Sequence, residues 1–115
     1  MRKYIYKICT TKEWKIFKKK KKFNGSKLDL LDGYIHFSSK NQVKSTLKRH
    51  FLKKDNLILL KVKIFNLKRL TWEKSKKNII FPHLYSYLKI KNIKDVYLVS
   101  LKKNGLHSIT KKKLV

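Results

Sequence analysis

Apolar residues in this chain fall in short blocks separated by lysine-rich stretches, and each block predicts one short element. Residues 3–9, KYIYKIC, predict a first strand. Thr10 and Glu13 then form the T-x-x-E pattern of a capping box, so a short helix follows with Trp14 and Phe17 as its apolar contacts. The five lysines at 18–22 end that helix; like charges in a row repel, which predicts an exposed, fraying lysine loop open to a partner. Asn24-Gly25-Ser26 signals a turn, and GYIHFS predicts a second strand. Ser39 and Gln42 repeat the capping-box pattern before a helix in which Val43, Leu47 and Phe51 fall at i, i+4 and i+8. NLILLKVKIFNL predicts the central strand. After it come LTWE at 70–73, a lysine-rich loop, and FPHLYSYL at 81–88. KDVYLVSLKKNGLHSIT reads as a closing hairpin that turns at Asn104-Gly105.

The order β-α-β-α-β, followed by strands with few helices, predicts an α+β fold. A length of 115 residues argues for a single domain over 1–115 with a core of its own. Composition agrees: 42% hydrophobic and 12% aromatic residues describe a folded globular chain, not a disordered basic tail. No apolar run is long enough for a membrane span, and the first residues carry no signal-peptide core, so the expected compartment is the cytoplasm, with no membrane partner. The single Cys9 excludes an internal disulfide and a cysteine-based zinc site, and its apolar strand suits an inert packing thiol.

The formal net charge of +26 changes the picture less than its size suggests. All but Arg2, Arg49 and Arg69 of the 32 cationic residues are lysine. A surface selected to grip phosphate favours the bidentate fork of arginine. Lysine without arginine is also what an AT-rich genome writes onto any tolerant surface. Either way the charge predicts weak, salt-sensitive binding to polyanions.

Three patches could carry chemistry. In the strand GYIHFS, side chains alternate, so Tyr34, His36 and Ser38 share one face and Ile35 and Phe37 the other. His36 therefore sits on a polar face, and Ser38 and Ser39 open a helix whose free N–H groups suit an anion. Asp29 and Asp32 precede the strand, and Gly33 suits the turn into it. A plainer reading stands beside this one: Ser39 only caps the helix, and His36 only satisfies a neighbouring backbone group. The second patch is Trp72-Glu73. Its carboxylate either pairs with a surface lysine or, beside Trp72, stabilises a developing cation. The third is Phe81-Pro82-His83-Leu84-Tyr85, a rigid aromatic segment that serves equally as a pocket wall or as core packing. His50 and His107 read as surface or packing residues. The four histidines and one cysteine show no metal-ligand spacing, so no metal is expected. With only Gly25, Gly33 and Gly105, neither a P-loop nor a dinucleotide G-x-G-x-x-G motif is present.

Together the patches are more specific than any one alone. Ile5-Tyr6-Lys7-Ile8, Trp14, Gly25-Ser26, Asp29, Asp32-Gly33-Tyr34-Ile35-His36-Phe37-Ser38, Gln42, Trp72-Glu73-Lys74-Ser75 and Phe81-Pro82-His83-Leu84-Tyr85 occur in order. In this the chain resembles a family of small bacterial proteins catalogued as domain of unknown function 952. It departs mildly, with Tyr34 for the usual Phe, Thr71 where Arg is usual and Ser86 where Gly is common. The resemblance implies a fold similar to ADP-ribosyltransferases: two small antiparallel or mixed sheets, with two or three short helices, split around a cleft that holds NAD in active members. On that footing His36 and Ser38 would contact ribose or phosphate, Trp72 or Tyr85 would stack on a ring, and Glu73 would be the carboxylate that stabilises an oxocarbenium-like state. The expectation is a nucleotide-like ligand, with NAD the candidate cofactor, and ADP-ribosyl or phosphoryl transfer as the chemistry. His36, Glu73 and His83 are the candidate catalytic residues. Asp32, Tyr34, Ser38, Ser39, Trp72 and Tyr85 are the candidate ligand contacts. The alternatives are a non-catalytic basic module that binds RNA or another polyanion, and a scaffold for a protein partner.

Overall fold

The first strand, β1 (Tyr4–Thr10), hands over to α1 (Thr11–Lys20) at Thr10. There the threonine Oγ1 accepts from the Glu13 amide at 3.0 Å while Glu13 Oε1 accepts from the Thr10 amide at 2.8 Å. Both halves of the predicted capping box are in place. The computed structural model describes residues 2–112. The remaining elements are β2 (Lys22–Phe23), α2 (Lys27–Asp32), β3 (Ile35–His36), α3 (Val43–His50), β4 (Leu57–Lys63), β5 (Leu70–Lys74), β6 (Ile80–Leu84), β7 (Leu88–Lys89), β8 (Ile93–Leu101) and β9 (His107–Lys112). Short 3₁₀ turns at Lys40–Gln42 and Ile90–Asn92 lead into α3 and β8.

Among the described residues these strands form three sheets, and every pairing is antiparallel. The largest has the order β1-β4-β8-β9, which places β4 inside the sheet as the NLILLKVK pattern predicts. The second is β3-β6-β5, and the third pairs β2 with β7. The fold is thus the small α+β domain expected. Its main core lies between one face of the large sheet (Ile5, Ile58, Leu60, Val96) and α1 with the apolar side of the second sheet (Trp14, Phe17, Ile35, Leu84). A second cluster packs Val43 and Leu47 of α3 against Ile8, Leu57, Leu59 and Val99 on the opposite face. The two sheets meet edge to edge at one isolated bridge, where Tyr6 and Ser38 exchange both backbone hydrogen bonds at 2.8 Å.

Two expectations need correction. Lysines 18–22 are exposed, as the charge run predicts, but they do not form a loop. Lys18, Lys19 and Lys20 complete the last turn of α1, where cations complement the helix dipole. Lys21 adopts a left-handed cap with φ 60°, and Lys22 pairs with Lys89. Phe17 and Phe23, both buried and stacked with ring centroids 5.5 Å apart, pin the run from either side. Like-charge repulsion among solvated lysines is screened, and it loses to this aromatic packing. The second correction is α2. Asn24-Gly25-Ser26 leads not straight into a strand but into a helix capped by Ser26 and ended by Gly33 with φ 85°. Apolar periodicity hides this helix, because Leu28, Leu30 and Leu31 point outward and its buried residue is Asp29.

Candidate functional site

Side-chain alternation on the β3-β6-β5 sheet builds the site. His36 lies directly across from His83, and Thr71 across from His83 on the other flank. Tyr34, His36, His83, Tyr85 and Glu73 therefore share one face, while Ile35, Pro82 and Leu84 point into the core. The Tyr34 ring stacks on His83 at 4.1 Å and 27°, and lies 4.7 Å from His36 and 5.3 Å from Tyr85. The expected alternation is therefore present at this strand, with Tyr34 and His36 on the polar face and Ile35 on the apolar one.

Each histidine is held by a carboxylate. His83 Nδ1 is 2.8 Å from Glu73 Oε1, and the Tyr85 hydroxyl donates to the same oxygen at 2.6 Å. A carboxylate that accepts only fixes the proton on Nδ1, so Nε2 of neutral His83 presents its lone pair. Nε2 has no partner among the described residues. The hydrogen bonds from Tyr85 and His83 lower the Glu73 carboxyl, and the same Tyr85–Glu73 bond pushes the phenol up to about 12. His36 sits between two acids, with Nδ1 2.6 Å from Asp29 Oδ1 and Nε2 2.9 Å from Asp32 Oδ2. Burial raises the Tyr34 hydroxyl, and the charges of Asp32 and Glu73 add to the shift.

Asp29 is the hub beneath these rings. Its side chain is 1% exposed and takes the Lys7 ammonium at 2.8 Å, the Ser26 amide at 2.8 Å and the His36 amide at 3.1 Å besides the His36 ring. Burial alone would raise this carboxyl, but the His36 hydrogen bond and the Lys7 charge more than offset it and hold it well below the usual carboxylate range. Lys7 lies between Ile5 and Cys9 on the inward side of β1, and only Asp29 makes that burial tolerable.

A cleft of about 790 Å³ opens over this arrangement. Of the residues singled out in the sequence, Asp32, Tyr34, His36, Ser38 and His83 line it. Glu73 stands behind His83 and does not line the cleft, so it orients a ring where a ligand-facing carboxylate was expected. Tyr85 borders a smaller hollow of about 170 Å³ on the far side of Tyr34. Trp72 faces Pro82 on the opposite side of β5 with the Arg2 guanidinium 4.5 Å above its ring, outside the cleft lining. Ser39 is also outside the lining. Its amide is taken by Gln42 Oε1 at 2.9 Å, and a 3₁₀ turn intervenes before α3, so this amide is not free for an anion. Ser38 is buried and shares a hydrogen bond with Thr46 at 2.8 Å.

Sequence reasoning gave no role in the cleft to Lys7, Arg49 and Lys54, three cations that line it, or to Asp29. A lysine at an inward strand position was the available signal for Lys7, and the S-x-x-D spacing with Ser26 was the signal for Asp29. The other cleft cations come from α2 (Lys27), α3 (Arg49), the turn after α3 (Lys54) and the end of β5 with the residues after it (Lys74, Lys76), which no local pattern connects. Among the described residues no group of three or more His, Cys, Asp or Glu side chains is placed to hold a metal ion. Nor is any helix among them long and apolar enough to cross a membrane.

The fold and site define a small α+β domain whose histidine-bearing sheet face floors a cation-lined cleft. The family described as "Protein of unknown function (DUF952)" matches residues 8–96, and the chain belongs to that family. Its backbone is similar to the crystal structure of protein CC0527 from Caulobacter crescentus, with a TM-score of 0.85 and 36% identity over 91% of this chain and 93% of that one. The solution NMR structure of CC0527 gives a TM-score of 0.80 and 36% identity, covering 90% of each chain. No curated protein matches.

Proposed function

We propose that the cleft binds a nucleotide-like ligand, with NAD the first candidate, and that two sheets around a cleft serve here as in ADP-ribosyltransferases, with ADP-ribosyl or phosphoryl transfer as the chemistry. The observation that carries this reading is the pairing of His36 with His83 on one sheet face, each fixed through Nδ1 by a carboxylate, under a cleft lined by Lys7, Arg49, Lys54 and Lys74. The volume suits a nucleotide, since small-molecule sites run from about 300 to 1,000 Å³. Cations on the wall answer phosphate, and the Tyr34–His83 stack offers a π surface at the floor. His83 Nε2 is the ring nitrogen left to accept a proton or a hydrogen bond from a ligand hydroxyl. Glu73 acts through His83 by holding its tautomer.

The test is an amide-correlation NMR titration with NAD and with ADP-ribose at low and high salt. Saturable shifts at His36, Ser38 and His83 that persist in high salt, and vanish in a folded His83→Ala variant, are the expected result. Silence at these amides with both ligands sinks the proposal.

A further inference from the structure

The second inference concerns the outer face of the large sheet, which borders the cleft at Tyr6 and Ile8 but does not depend on what the cleft binds. The large sheet has two faces, and the outer one is only partly covered. Its rows follow from the register: Tyr4 beside Lys63; Tyr6 beside Lys61 and Asp95; Ile8 beside Leu59, Tyr97 and Lys111. The helix over this face, α3, has eight residues and so spans about 12 Å. The strands beneath it have seven and nine residues, or about 23 to 30 Å. Val43 and Leu47 of the helix cover Ile8, Leu57, Leu59 and Val99. Toward Tyr4 the strands outrun the length of the helix; Tyr4 and Tyr97 pack against the edge of the α3 cluster, and they and Lys61 stay half-exposed.

We propose that this uncovered face is a stacking platform for single-stranded nucleic acid, with Tyr4 and Tyr97 taking bases and Lys61, Lys63 and Lys111 taking phosphates. Aromatic rings standing on a sheet accept any base through its π face, and interleaved cations track the backbone. The Lys61 ammonium already lies 4.3 Å from the Tyr4 ring centroid, so charge and ring are juxtaposed. Tyr4 and Tyr97 are separated by one intervening strand and four residues of offset, about 10 Å across and about 13 Å along the sheet, so they take separate bases. Asp95 is the one acid on the described part of this face, and Lys111 meets it at 3.4 Å, which leaves the face cationic. The chain's net charge of +26 supplies the attraction, and the tyrosines supply the preference for unpaired strands. The lysines of α1 lack an exposed ring: the one beside Lys18, Trp14 at 5.5 Å, is buried.

The test is fluorescence anisotropy of the whole protein with labelled oligo-U, oligo-dT and a duplex of equal length across a salt series. Expected are tighter binding to the single strands than to the duplex and a loss of about fivefold or more for Tyr97→Leu. Replacing Lys61, Lys63 and Lys111 together by Gln should reduce the log–log salt slope by about 2, as three lost phosphate contacts on a single strand require. Comparing oligo-U with oligo-dT tells RNA from DNA. Amide shifts in the unmodified protein should centre on Tyr4, Lys61 and Tyr97, a readout that needs no variant to fold. Equal binding of duplex and single strand, an unaffected folded Tyr97→Leu, or shifts centred on Lys18–Lys20 would each overturn the proposal.

Discussion

At the residue scale the most consequential group is Asp29, which satisfies an ammonium, two backbone amides and an imidazole from beneath the surface. Replacing it with Asn leaves the Lys7 charge buried without a counter-ion. Chemical denaturation should show Asp29→Asn destabilised by about 3–5 kcal/mol, the cost of breaking a buried pair by removing one partner. The direction of the Asp29 shift also sets a pH dependence. A carboxyl held below its unfolded value binds fewer protons when folded, so its contribution is present at neutral pH and is lost as pH falls through the folded-state value. Stability should fall on acidification from about pH 5 downward, and Asp29→Asn should flatten that part of the profile. Glu73 offers a cleaner spectroscopic handle. Its carboxylate holds the Tyr85 phenol up to about 12, so Glu73→Gln should bring that tyrosine's absorbance titration down toward the ordinary value of about 10.

At the element scale the contrast between Gly25 and Gly33 isolates what holds α2. Both have positive φ, 122° and 85°. A Cβ at Gly33 meets nothing within 4 Å, so Gly33→Ala should cost only the backbone strain, about 1 kcal/mol. A Cβ at Gly25 would lie 2.7 Å from Asp29 Cβ, so Gly25→Ala should cost clearly more in thermal melts and should shift the His36 imidazole resonances. Elements with a local cause were legible in the sequence. The Thr10–Glu13 box, the alternation of Tyr34, His36 and Ser38 against Ile35 and Phe37, and the turn at Asn104-Gly105 all follow from rules that act within a few residues. So was the nearness of His36 and His83, but only through the family resemblance; their direct pairing is a fact of register between strands 47 residues apart. What stayed hidden had a distant cause. The outward leucines of α2 mask a helix whose purpose is to bury Asp29, and Trp72 and Glu73 are neighbours in sequence that strand alternation sends to opposite faces.

For the whole molecule, charge is the dominant condition. A chain of this size with a net charge of +26 repels itself in the compact state, so its Tm should rise as salt is added from low ionic strength, measured by calorimetry at fixed pH. Among the described residues few lysines touch an acid, and Lys7–Asp29 is the buried exception. Shape adds a second condition. The Tyr6–Ser38 bridge contributes two backbone hydrogen bonds where the large sheet meets the histidine-bearing one. Its two residues also line the cleft. The bridge is therefore a seam at the foot of a groove, and opening it a little would widen the groove without pulling apart the core behind it. A molecule lodged against both walls would draw the seam shut, turning what it grips into part of what holds the protein together.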